Sequence, residues 1–86
     1  MIRDLTPREI LCLECLGDSV KTGRDLRKEM KLQLSLARRV LFIAPAFYAM
    51  MAWLEDAGMV EHADEAGGPP RRYWATKAGK ESAAIL

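Results

Sequence analysis

Cys12 and Cys15 stand as a C-x-x-C pair, the spacing of two zinc ligands or of a redox dithiol. Neither chemistry finds its remaining parts. A structural zinc site takes four ligands, yet the chain has no second cysteine pair and His62 is its one histidine. A thioredoxin-like dithiol follows a strand, whereas this pair lies inside "TPREILCLECL", which reads as a helix. Thiols at this helical spacing occupy adjacent faces, so at least one points inward, and both are expected in or near the core. With no nucleophile–base set and no metal cluster besides, the chain is expected not to be an enzyme and to need no cofactor.

The remaining residues with chemistry to offer are cations. In "GGPPRRYWATKAG", residues 67 to 79, two arginines follow two glycines and two prolines. Gly67 and Gly68 permit positive φ at a hairpin tip. Pro69 and Pro70 cannot donate to a strand ladder, which confines them to the tip or an edge. Arg71 and Arg72 then bring planar donor forks suited to phosphate oxygens. Arg24, Arg27, Lys28 and Lys31 recur at i, i+3, i+4, i+7 and make a basic helical stripe, partly offset by Asp25 and Glu29. Arg38 and Arg39 add a further pair. A solvated helix face and a solubilising hairpin tip are the plainer readings of these charges.

Charge is segregated along the chain although the net is only +1. Residues 1 to 45 sum to +3, residues 46 to 66 to −5 and residues 67 to 86 to +3. One basic face on a near-neutral molecule is therefore expected. The 86 residues suffice for a single domain, 1–86. No apolar run is long enough to cross a bilayer, and "MIRDLTPRE" lacks the apolar stretch of a signal peptide, so the expected location is the cytoplasm, with no membrane partner.

The elements that must position these cations follow from local signals. Thr6, Pro7 and Glu9 spell a capping box with proline at the first helical position, Leu5 is placed to staple against Ile10, and Gly17 and Asp18 end the helix. "TGRDLRKEMKL" is a second helix, with Leu26 and Met30 inward. In "SLARRVLFIAP", Ser35 is placed to cap a short turn, while Val40 to Ile43 read as a short buried strand by β-branched and aromatic content, the length allowing either. "PAFYAMMAWLEDAG" is a third helix between Pro45 and Gly58, with Phe47, Met50, Met51 and Leu54 inward and Tyr48, Ala49, Ala52, Trp53 and Asp56 opposite. "MVEHA" and "RRYWAT" are paired strands, with Val60 inward and Tyr73 and Ala75 alternating against Arg72, Trp74 and Thr76. Thr76 caps a last short helix.

Helices followed by a hairpin make the winged helix-turn-helix: mainly α with a small β-hairpin, a three-helix core plus a two- or three-stranded wing. The residues resemble more closely the PadR family of bacterial transcription regulators. Phe47 and Tyr48 stand at that family's aliphatic–Tyr pair. Met51, Leu54, Glu55, Gly58, Met59 and Val60 match its helix end, and Gly67, Gly68, Arg71, Arg72, Tyr73, Thr76 and Gly79 its wing and following turn. Over residues 5 to 34 the match is looser, with Arg24 where the family has tyrosine, and Ala75 replaces a usual leucine. The resemblance implies a regulator that binds double-stranded DNA as a homodimer on a palindromic site, of cellular or phage origin. The family continues into a C-terminal helix or bundle, whereas this chain stops soon after Gly79, and no sensing of a small molecule is expected from it.

The expected DNA-binding set is Arg24, Lys28, Arg38, Arg39, Tyr48, Ala49, Arg71 and Arg72. The third helix is poor in residues that read base edges, and its Glu55 and Asp56 repel phosphate, so binding carried by the cations would be mostly electrostatic. A rival reading takes the Tyr48, Ala49, Ala52 and Trp53 face, with Ala52 and Trp53 as interface residues, for a protein-binding surface on a winged-helix adaptor or inhibitor, or for a homodimer contact.

Overall fold

A computed structural model of the chain describes residues 4–65 and 68–84. Helix α1 spans Pro7–Leu16 and begins with the expected capping box: Thr6 Oγ1 accepts from the Glu9 amide at 3.2 Å, and Glu9 Oε1 accepts from the Thr6 amide at 2.9 Å. The helix stops at Gly17, whose φ of 51° is ordinary for glycine and strained for other residues. A two-residue strand β1, Lys21–Thr22, leads directly into α2, Gly23–Gln33, because Thr22 turns from strand pairing to capping the Asp25 amide at 3.1 Å.

Residues 35 to 43 depart from the expected strand. Ser35 caps a short helix α3, Leu36–Leu41, accepting from the Arg38 amide at 3.4 Å. A short apolar run carries no periodicity that separates strand from helix, and here the cap decides. Phe42 ends α3, fully buried, its amide bonded to the Arg39 carbonyl at 3.2 Å. The expected third helix is therefore the fourth, α4, Ala44–Asp56.

Strands β2, Val60–Glu65, and β3, Gly68–Ala75, form the hairpin, and β1 adds to the other side of β3 in an antiparallel sheet of order β1-β3-β2. The register pairs Val60 with Ala75, His62 with Tyr73 and Asp64 with Arg71, then jumps to pair Glu65 with Gly68. Pro69 and Pro70 fall in that irregular step, where a missing donor breaks no regular ladder bond. Gly68 opens β3, and the expectation for Gly67 lies outside the described residues. The closing helix α5, Lys77–Ala84, is capped by Thr76, whose Oγ1 accepts from the Gly79 amide at 3.1 Å.

One core joins these elements. Cys12, Leu13 and Leu16 of α1, Leu26 and Met30 of α2, Phe47, Met51 and Leu54 of α4, and Val60 and Tyr73 of the hairpin are all essentially inaccessible. Phe42 meets Phe47 edge to face at 5.8 Å between centroids, fixing α3 to α4. Leu5 packs against the core, half-buried. Both cysteines are free and buried, and Cys12 Sγ lies 3.5 Å from Met51 Sδ.

Candidate nucleic-acid interface

Three elements meet at Gly23. A Cβ there would lie 2.9 Å from Tyr48 Oη and 3.2 Å from Tyr73 Cε2, so glycine lets the start of α2, the exposed side of α4 and strand β3 close together without displacing either ring. Tyr48 is held by this contact and by an edge-to-face contact with Phe47 at 4.9 Å, yet keeps 47% of its surface exposed. A rigid aromatic ring with an accessible hydroxyl thus stands at the junction.

Cations of α2 and the hairpin lie on the elements that flank it, Arg72 on the face of β3 opposite Tyr73. Arg24 follows Gly23 directly, and Lys28 lies one turn further on the same helical face; both are exposed. Ala49 and Ala52 are exposed beside Tyr48 on α4. Arg72 is exposed in the middle of the sheet, paired with Thr22 on one side and Ala63 on the other, which brings it level with the start of α2.

Arg71 shares the inward-facing row of β3 with Tyr73 but lies beyond the core. Its Nε donates to Asp64 Oδ1 of the opposite strand at 3.1 Å. Asp64 first, and the Tyr73 hydroxyl second, raise the Arg71 guanidinium above its ordinary value. Burial pushes the Tyr73 hydroxyl up, with Arg71 partly opposing. The wing arginine expected to be free for phosphate is therefore already in an ion pair, though a half-exposed one.

The acidic end of α4 is partly occupied too: Glu55 Oε1 lies 2.5 Å from His62 Nδ1 across the α4–β2 contact. Trp53 departs from the expected solvent face. It is half-buried and packs against the core, leaving Tyr48, Ala49, Ala52 and Asp56 as the exposed side of α4.

Arg38 and Arg39 are placed on α3, and none of their described contacts ties them to Tyr48 or the hairpin. Arg38 shares a hollow at the start of α1 with Thr6, Pro7 and Arg8. Arg39 turns back on the preceding turn, its Nη2 donating to the Leu34 carbonyl at 3.3 Å. Sequence reasoning missed the Asp64–Arg71 pair and the role of Gly23. Counting strand register from the proline step would have found the first; the second depends on where three distant segments meet.

Other chemistry finds no support. Burial pushes the Cys12 thiol up to about 12 and the Cys15 thiol up as well, the reverse of a reactive thiolate. Among the described residues, no group of three His, Cys, Asp or Glu side chains gathers to hold a metal ion, and no helix is long and apolar enough to cross a membrane.

No family model matches the chain, and neither does any curated protein. Solved structures do. A PadR family transcription regulator from Clostridium difficile R20291 superposes with a TM-score of 0.73 at 17% identity, covering 93% of this chain and 82% of that one. The smu.1704 protein from Streptococcus mutans UA159 gives 0.73 at 21% identity, covering 100% and 79%. F-93 of SSV1 gives 0.64 at 22% identity, covering 98% and 84%. Capped helices, the glycine-centred junction and the three-stranded wing together make the fold of this chain a PadR-like winged helix.

Proposed function

We propose that the chain is a cytoplasmic DNA-binding transcription regulator that acts as a homodimer on an inverted repeat. The observation that carries this reading is the placement of exposed Arg24, Lys28, Tyr48 and Ala49 where α2 meets α4, with Arg71 on the Tyr73 face of the wing and Arg72 exposed on its other face. Arg24, Lys28 and Arg72 contact phosphates, Tyr48 donates its hydroxyl to a phosphate oxygen, and Ala49 allows α4 to approach the bases closely, where a thymine methyl would meet it. Arg38 and Arg39 add positive charge to the approach. Two-fold pairing of copies matches two half-sites of a palindrome. The similar fold of a PadR family transcription regulator from Clostridium difficile supports the same reading. The rival adaptor surface loses its main anchor, since Trp53 packs on the core.

Selection of bound duplexes from a random pool tests the proposal, with salt titration of the winners. An enriched inverted repeat is the expected result; no enrichment, with only weak salt-sensitive binding, would remove sequence reading from the mechanism. The Arg71→Ala, Arg72→Ala double variant is expected to bind the selected duplex more weakly, its log K against log salt slope shallower by about 2. Undiminished binding would take the wing out of the interface.

A further inference from the structure

His62 is the chain's one histidine, and histidine is the side chain whose charge changes across the physiological range of pH. It stands where the wing meets α4. Its Nδ1 lies 2.5 Å from Glu55 Oε1, in the last turn of α4. The His62 side chain is 31% exposed and that of Glu55 25%, so the fold shields the pair yet leaves it open to protons from solvent. The other groups around it come from four elements. On α4, Asp56 follows Glu55 and is exposed. On β3, the Tyr73 ring stands 5.9 Å from the imidazole between centroids, and Arg71 lies beyond it on the same face. Asp64, two residues along β2 from His62, is committed to Arg71 at 3.1 Å. On β1, Lys21 is level with Tyr73, but its ammonium turns to Glu29 of α2 and the Cys15 carbonyl. Glu55 is therefore the carboxylate in contact with the imidazole.

The two charge states of His62 do different things at this contact. A neutral imidazole donates one hydrogen bond from Nδ1, and Glu55 keeps its negative charge. A protonated one turns the contact into an ion pair, which is shorter-ranged to the outside and stronger within. Residues 46 to 66 sum to −5 with His62 neutral, and one proton on it takes that sum to −4. The change falls at the end of the helix that the proposed function lays against a duplex, where negative charge opposes phosphate. We infer that the Glu55–His62 pair is a proton-controlled latch between α4 and the wing, which tightens the chain's hold on a duplex as pH falls. The inference rests on the DNA reading and deepens it by naming the group that regulates the contact. By reciprocity, a duplex that favours the protonated pair is itself bound more tightly, by the same factor, when the proton is on.

Fluorescence anisotropy of the full chain with the selected duplex tests this, from about pH 8 to about pH 5 at constant ionic strength. Affinity is expected to rise about fivefold to tenfold over that range, a coupling of ordinary size. His62→Gln keeps a donor for Glu55 but takes up no proton. It is expected to match the parent at the alkaline end and to lose the rise. Glu55→Gln is expected to bind more tightly than the parent at the alkaline end. Its rise is expected to have its midpoint at lower pH, because a neutral partner no longer favours the cation. Thermal midpoints equal to the parent's at the alkaline end verify that both variants fold. In the free chain, the amide NMR signals of Glu55 and Tyr73 are expected to titrate together with the His62 ring. A ring that titrates alone would overturn the latch. Equal affinity for the duplex at every pH would overturn it and leave the DNA reading standing. A rise that persists in His62→Gln assigns the effect to other groups and overturns it too. Failure to bind any duplex at any pH would remove the DNA reading, and this regulation with it.

Discussion

On the proposed function, Asp64 sets how readily the wing arginine meets phosphate. Its carboxylate holds Arg71 at 3.1 Å, and a phosphate oxygen has to displace it or share the guanidinium. Asp64→Asn is therefore expected to tighten duplex binding modestly, read as a lower Kd for the same duplex. Gly23 acts at the same scale through space rather than charge. Gly23→Ala pushes a methyl group into Tyr48 and the buried Tyr73. The expected loss is about 1 kcal/mol of stability by urea unfolding, together with weaker duplex binding as Tyr48 is displaced. Tyr48→Phe in that background removes the nearest atom and is expected to restore part of the stability but not the binding. The buried thiols set an alkaline limit. Cys12 titrates at about 12 when folded, raised chiefly by burial and then by Cys15 and Glu9, against 9.0 ordinarily. Its contribution is whole below the ordinary thiol range and is lost as pH rises from 9.0 towards about 12, because the unfolded chain gives up the proton first. Urea midpoints measured below and above pH 9.0 are expected to fall in that order, less steeply in Cys12→Ala.

At the scale of elements, the caps explain both what was legible and what was not. Thr6 with Glu9, Thr22 with Asp25 and Thr76 with Gly79 are local patterns whose hydrogen bonds form within one turn, so the sequence alone places α1, α2 and α5. Thr6→Ala is expected to cost about 1 kcal/mol by urea unfolding, since it orphans the Glu9 amide, while the backbone amide of residue 6 still donates to Glu9 Oε1. The inward stripe of α4 and the Tyr73–Ala75 alternation were equally legible, because periods of 3.6 and 2 declare a buried face. Residues 40 to 43 were not: their apolar character suits strand and helix alike, and the outcome turns on Ser35 and on the pocket that takes Phe42. Trp53 was misjudged for a related reason. It sits at the margin of the helical stripe, where a large ring reaches the core from a position that a small residue would leave in solvent.

For the whole molecule, the near-neutral total conceals a separation of charge. The fold sets the cations of the two basic segments at the junction and on α3, while carboxylates from the acidic segment pair with His62 and Arg71. What the sequence could not convey is the Glu55–His62 pair, which depends on the packing of α4 against β2. Gly79 shows how tightly the assembly is closed. A Cβ there would stand 2.1 Å from the Met59 carbonyl oxygen, a backbone atom that cannot swing aside. Gly79→Ala is expected to cost more than Gly23→Ala, about 2–3 kcal/mol, as a lowered thermal midpoint with the α5 end of the molecule loosened.

Strand β2 is an outer strand of the sheet, and its free side bears unpaired backbone groups. Glu61, Asp64 and Glu65 lie along it in a stretch that carries no lysine or arginine. These carboxylates do nothing for contact with a polyanion. They do make the wing a poor template for another wing, since two such edges brought side by side would align negative charge with negative charge. On the proposed function, the acidity that looks misplaced in this hairpin disfavours the growth of a shared sheet when two copies come close together.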